Sequence, residues 1–159
     1  MNAQQKQFLD QATAEAQKAN HPFPQMAAAE AALESGHWDV VAKVMIYGGS
    51  ELARDDNNLF GMKQHVHPVF TSVSLPTREY LSNEWKTVSA NWIKYPDWSS
   101  CFADRLATLQ KLAAVYPHYK AAIEATDAET YIRQVSQTWS TDPHRADKVL
   151  AIYAEYTAA

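Results

Sequence analysis

The run Ala27-Ala28-Ala29-Glu30-Ala31-Ala32-Leu33-Glu34, stopped at once by Ser35-Gly36, constrains this chain more than any other stretch. Alanine is the strongest helix former, and a helix of small apolar side chains on most of its faces belongs in an interior. Gly36 ends it, because glycine accepts the left-handed conformation in which helices often terminate. The helix therefore carries Glu34 on its last turn. Downstream lies the dense turn Asn57-Asn58-Leu59-Phe60-Gly61-Met62-Lys63. A carboxylate at the end of a buried helix, beside amide side chains and a flexible glycine, is a way to hold an acid in a cleft. Glu34 is the first candidate for chemistry.

A length of 159 residues suits one domain spanning 1–159, large enough to bury roughly 70% of the surface of its unfolded chain. The net charge of −4 offers no basic footprint, so nucleic acid is not an expected partner. Five Trp and eight Tyr are more than a small core needs, and such rings suit sugar faces as well as interiors. The single Cys101 excludes an intramolecular disulfide and reads as a packed thiol, since nothing near it in sequence is cationic. The N-terminus is polar and no run reaches membrane-spanning length, so neither a signal peptide nor an integral membrane segment is expected.

No cofactor or metal is expected either. Ser35 and Ser50 lack a nucleophile elbow, and the four glycines form no phosphate loop. Asp55-Asp56-Asn57-Asn58 lacks the spacing of a calcium loop, and His65 and His67 could share a strand face but have no third ligand in view.

Along the chain, Phe8, Leu9, Ala12 and Ala16 mark an amphipathic helix over about 3–19, and Pro24 suits the first turn of the alanine-rich helix. Val40, Val41, Val44, Met45 and Ile46 predict a short helix on the core within 37–47, and 50–63 reads as loop or short turns. Alternation from Val69 to Leu75, then from Trp85 towards Ile93, with Leu81-Ser82-Asn83 as the turn, predicts an antiparallel β-lobe at about 66–95. Helices return with Ser99 or Ser100 as cap, then with Thr126 and Glu129 at capping-box spacing, then after Asp142-Pro143. Tyr116-Pro117-His118-Tyr119 interrupts them. The predicted class is α+β and mostly helical.

Three local properties would raise the proton affinity of Glu34: the negative end of its helix, burial among Ala and Leu, and Glu30 one turn back. A general acid needs its proton near neutral pH.

The order of words around Glu34 is informative. Ala32-Leu33-Glu34-Ser35-Gly36, Ser50-Glu51-Leu52-Ala53 and Asn57-Asn58-Leu59-Phe60-Gly61-Met62-Lys63 are followed by Pro76-Thr77-Arg78-Glu79-Tyr80, Trp92-Ile93-Lys94-Tyr95, Tyr116-Pro117-His118-Tyr119-Lys120 and Thr141-Asp142-Pro143 before Ala146-Asp147-Lys148. The series resembles the N-acetylglucosaminidase domains of glycoside hydrolase family 73, found in autolysins, flagellar peptidoglycan hydrolases and phage lysins. The resemblance implies a lysozyme-like fold in which the β-lobe faces a helical lobe, and cleavage of the β-1,4 bond after N-acetylglucosamine in peptidoglycan glycan strands; a monomer is expected. By the same resemblance Glu34 matches the proton donor, Glu79 the second carboxylate and Tyr119 a tyrosine near the acid. Asn58, Leu59, Phe60, Gly61 and Lys63, with Tyr95, would contact substrate.

Carboxyl groups about 6.5–9.5 Å apart would favour inversion and about 5–5.5 Å retention, while attack by the substrate's own acetamido oxygen is a third route. Two departures stand out. The segment from His37 to Gly49 replaces a short link, and Arg145 stands where the family often has a tyrosine that reads as structural. A muramidase or lytic transglycosylase, or a non-catalytic wall-binding or morphogenetic module, would share the fold. Action on the cell wall without a signal peptide would imply delivery by phage lysis, a virion or a specialised secretion system, or a domain excised from a longer protein.

Overall fold

The computed structural model describes residues 1–158. The elements in order are α1 (Ala3–Lys18), α2 (Pro24–Glu34), β1 (His37–Asp39), β2 (Val44–Ile46), α3 (Glu51–Asp56), β3 (Ser72–Leu81), β4 (Glu84–Ile93), α4 (Trp98–Ala113), α5 (Pro117–Ile123), α6 (Ala128–Val135) and α7 (Arg145–Ala158). The α+β class and the lysozyme-like pairing of a helical body with a small antiparallel lobe are as expected.

The helix α2 is the axle of the body. Every residue from Met26 to Ala32 is buried, and α1 and α7 pack against it. Its alanines let neighbours approach closely on both sides. Ala27, Ala28, Ala31 and Ala32 join Phe8, Leu9, Leu59, Phe60 and Phe102 in one apolar cluster, and Met26 and Ala29 join Leu109, Tyr131, Ile132 and Val149 in another. The caps follow local chemistry. Asn2 and Gln5 form a reciprocal capping box on α1, Pro24 occupies the first turn of α2, and Asp97 and Asp127, rather than Ser99, Ser100 or Thr126, accept from the backbone N–H three residues on. None of the described helices is long and apolar enough to cross a membrane.

Two segments differ from their sequence reading. Residues 37–47 form an antiparallel hairpin, β1–β2, in the register His37↔Ile46, Trp38↔Met45 and Asp39↔Val44, not a helix. Its valines and isoleucine are β-branched and stiff at χ1, which favours the strand. The Asp39 carboxylate accepts from the N–H groups of Val41 and Ala42, and Lys43 takes a positive φ of 52°, closing the turn. Of the apolar residues assigned to the core, Val40 and Val41 sit at its tip, Val41 being 90% exposed, and Val44, Met45 and Ile46 form β2. Residues 51–56 form the helix α3, capped by Ser50, whose hydroxyl accepts from the Ala53 N–H, and ended by Asn57 in the left-handed conformation at φ 54°.

The β-lobe is one long hairpin, β3–β4, turning at Ser82 and Asn83 (φ 52° and 65°), as a two-residue loop of the primed type requires. It begins at Ser72, later than the alternation from Val69 suggested. Val73, Leu75, Thr77 and Glu79 share a half-buried face with Val88, Ala90 and Trp92. The base of the arm is tied to the body by Gln64 N–H to Asn91 O (2.8 Å), Ile93 N–H to Met62 O (3.0 Å) and Lys94 N–H to Thr71 O (2.8 Å).

Candidate active site

Glu34 ends α2 and faces a cavity of about 330 Å³, near the small end of the roughly 300–1,000 Å³ range of ligand sites. Chain geometry brings the walls together. Ser35 donates its hydroxyl to Ala31 O (2.5 Å) and accepts from Gly48 N–H (2.9 Å), and the Ser50 N–H returns to Ser35 O (3.0 Å). The β1–β2 hairpin is thereby looped out, and the start of α3 lies beside the end of α2. Ser50, Glu51 and Leu52 form one wall, Asn58 and Gly61 the floor, and Leu75, Pro76 and Trp92 of the arm the opposite wall. Apolar faces with a few carboxylates and amides between them suit a sugar ring, whose faces carry C–H groups and whose rim carries hydroxyls.

The amide turn is built for shape. Asn58 is buried; its side-chain nitrogen donates to Met62 O and Ile93 O (both 2.9 Å), and its oxygen accepts from Met62 N–H (2.9 Å). One side chain thus folds 58–62 and fastens it to β4. Gly61, at φ +62°, adopts the left-handed conformation.

Behind Glu34 lies a buried polar network. Glu30, wholly inside, receives Arg105 Nη1 and Nη2 (3.0 and 2.8 Å), Arg145 Nη2 (2.8 Å) and the Tyr131 hydroxyl (2.9 Å). Burial would push this carboxyl up, but the two guanidiniums prevail and hold it well below the usual carboxylate range. His21 Nδ1 accepts from the Phe23 N–H and its Nε2 lies 3.3 Å from the Tyr131 hydroxyl. Burial lowers this imidazole to about 4, which keeps it neutral. Arg105 is also sandwiched against the rings of Phe60 (4.7 Å) and Trp139 (4.1 Å).

The expectation that Glu30 presses on Glu34 as a like charge is therefore corrected. Two guanidiniums neutralise Glu30, and the charge in contact with Glu34 is a cation: Arg145 Nε donates to Glu34 Oε1 at 2.8 Å. Glu34 remains open to the cleft, with 23% of its side chain exposed, and among the described residues Oε2 has no hydrogen-bond partner.

The other sequence candidates separate by position. Asn58 and Gly61 line the cavity with Glu34. Leu59 and Phe60 turn into the core. Lys63 and Glu79 meet each other: Lys63 Nζ lies 3.2 Å from Glu79 Oε1 and 5.5 Å from the centre of the Trp92 ring. Glu79 lies on the arm face that carries Leu75 and Trp92, further towards the tip. Tyr95 is buried, with its hydroxyl donating to Asp104 Oδ2 (2.5 Å), an oxygen that His65 Nε2 also approaches (2.9 Å). Tyr119 is buried on α5, with its hydroxyl accepting from Thr138 (3.0 Å). Neither tyrosine is among the residues lining the cavity. Cys101 is buried, and desolvation pushes its thiol up to about 12, as befits an inert packed group.

Sequence reasoning missed Ser50, Glu51, Leu52, Leu75, Pro76 and Trp92 as wall residues and Arg145 as a partner of Glu34. All of these wall residues but Leu75 lie inside stretches that carried the family resemblance, which was their only signal; Leu75 was marked only by the strand alternation. The pairing of Arg145 with Glu34 spans 111 residues of chain and leaves no local pattern.

Residues 10–158 match the family described as "Glucosaminidase: Mannosyl-glycoprotein endo-beta-N-acetylglucosaminidase". The chain is 29% identical over 160 residues to the exo-glucosaminidase LytG of Bacillus subtilis (strain 168), a match that covers 96% of this chain and 52% of LytG. It thus spans about half the length of that curated relative. Among solved structures, it is similar to the catalytic domain of the autolysin Auto from Listeria monocytogenes, with a TM-score of 0.78 and 25% identity, covering 99% of this chain and 86% of that one. It is also similar to a C-terminally truncated glycoside hydrolase domain of Salmonella typhimurium FlgJ, with a TM-score of 0.70 and 26% identity, covering 98% and 99%.

Proposed function

The chain belongs to the glucosaminidase family of glycoside hydrolases, and from that premise we propose that it cuts the β-1,4 bond after N-acetylglucosamine within peptidoglycan strands, with Glu34 as general acid. The reading is supported above all by the position of Glu34: a helix-end carboxylate opening into a sugar-sized cavity, with one oxygen anchored and the other free. Glu34 gives the proton on Oε2 to the glycosidic oxygen as the C1–O bond breaks, and positive charge develops on the ring. Leu52, Leu75, Pro76 and Trp92 exclude water from the sugar faces, and Asn58 holds the floor rigid.

The second group is Glu79, acting on water or stabilising the oxocarbenium ion when a bound strand draws the arm in. Its place on the same arm face as Leu75 and Trp92 supports that role, and Lys63 holds its carboxylate in the absence of substrate. Glu51, on the opposite wall, is the competing carboxylate, and attack by the substrate's acetamido oxygen is the route that needs neither. We read residues 1–159 as one catalytic unit, monomeric and acting at the cell wall.

The similarity to an exo-glucosaminidase favours a second reading, removal of terminal units. Mass spectrometry of digested, purified walls tests both. Long fragments with reducing N-acetylglucosamine ends at early times are the expected products. Short terminal products alone would indicate exo action, reducing N-acetylmuramic ends a muramidase, and anhydromuramic ends a transglycosylase.

A further inference from the structure

We propose that Arg145 is the positioning residue of this enzyme: it fixes the orientation of the Glu34 carboxylate and leaves Oε2 as the proton-bearing oxygen. The inference rests on the reading of Glu34 as the acid. Arg145 is 1% exposed, and three of its nitrogens reach three different acceptors. Nη1 donates to Ser136 Oγ, Nη2 to Glu30 Oε2 and Nε to Glu34 Oε1, each at 2.8 Å. Ser136 caps α6 and Glu30 sits mid-way along α2, so two tethers from separate elements set the plane of the guanidinium before Glu34 is considered. The Nε–H is then a fixed point, which neither a flexible lysine nor a single tyrosine hydroxyl would supply.

Glu34 needs such a point. It has three side-chain torsions, stands on the last turn of its helix and is open to the cleft. The Nε–H engages Oε1 and leaves Oε2 without a partner, so Oε2 is the oxygen available to carry the proton to be donated. When Oε2–H passes its proton to the leaving glycosidic oxygen, the negative charge stays on Glu34, and its attraction to Arg145 grows as that charge develops. An interaction stronger in the transition state than before it accelerates the step. The buried cluster fits this end state: Arg105 and Arg145 bring two positive charges and Glu30 one negative, so the group sums to zero once Glu34 is an anion. Arg145 does not line the cavity and acts on the substrate only through Glu34.

The test is steady-state kinetics on soluble glycan strands for Arg145→Lys, Glu34→Gln and the double variant, with thermal unfolding of each. Arg145→Lys keeps the buried positive charge but not the fork. It should retain a cooperative melt, lose about 10²-fold in kcat as expected for a misplaced reacting group, and keep KM within about twofold. The double variant should be no slower than Glu34→Gln alone, because Arg145 works through Glu34. A folded Arg145→Lys with wild-type kcat, or a double variant slowed by a further 10²-fold, would overturn the proposal. If Arg145→Lys does not fold, Ser136→Ala removes one tether and no charge. A several-fold fall in kcat at constant KM supports positioning, and an unchanged kcat contradicts it. Full activity in Glu34→Gln would remove the acid itself, an outcome distinct from a dead Glu34→Gln beside a normal Arg145→Lys.

Discussion

Glu30 shows how much of this protein is decided by single side chains. Placing a carboxylate in the middle of a wholly buried helix is tolerable only because Arg105, Arg145 and Tyr131 satisfy it. Glu30→Gln would leave two guanidiniums facing a neutral amide. Breaking a buried pair in this way costs about 3–5 kcal/mol, and urea unfolding at neutral pH should show a loss of that order. His21 gives a second prediction. Burial lowers its folded value to about 4 from an ordinary 6.5, so between those values the unfolded chain binds the extra proton. Its contribution to stability is complete above about pH 6.5 and is lost as the pH falls towards about 4, with a slope of up to about 1.4 kcal/mol per pH unit. Unfolding free energies measured across pH 4–7 should rise in the wild type, and His21→Gln should flatten that part of the curve. At this scale the sequence made Glu34 legible, because a helix-end carboxylate after an alanine run is a local pattern. The partners of Glu30 and Glu34 were not legible, since Arg105 and Arg145 lie 75 to 115 positions away along the chain.

The two hairpins behave differently as elements. β1–β2 is looped out by two hydrogen bonds that Ser35 accepts at the end of α2, from Gly48 N–H on its hydroxyl and from Ser50 N–H on its carbonyl, so its apolar side chains were available to the surface and not required by the core. Helical spacing of valines misled the reading of 37–47. The competing signals were β-branching and Asp39, which closes the turn. β3–β4 alternated cleanly and was recovered with its turn, though its start slipped to Ser72. This arm is a two-stranded ribbon held to the body near its base, with Tyr80, Leu81 and Trp85 exposed near the tip. Its outer amides have only each other for protection. Hydrogen exchange should therefore release the amides of 77–88 at a free energy well below that of α2, and a bound glycan strand should slow them. Equal protection of the arm tip and α2 in the free protein would contradict a mobile wall that brings Glu79 to the substrate.

For the whole molecule, an all-round buried helix carries an acid to its end, a looped-out hairpin clears the space beside it, and a long β-arm supplies the far wall. The fold class was legible because a strand-patterned stretch sits between helical ones, and the order of short motifs pointed to the family that the full-length match bears out. Which side chains meet in the cleft was less legible. Tyr95 and Tyr119 carry motif positions but are spent on Asp104 and Thr138, while Trp92 and Leu75 took their places in the wall. The central claim is that Glu34 supplies the proton that breaks the glycosidic bond. Turbidity loss of purified cell walls, followed with wild type and Glu34→Gln at equal concentration and with matched melting temperatures, tests it most directly. Lysis should fall at least about 10²-fold in the variant, as removal of a general acid demands, whereas clearing at the wild-type rate would contradict the account.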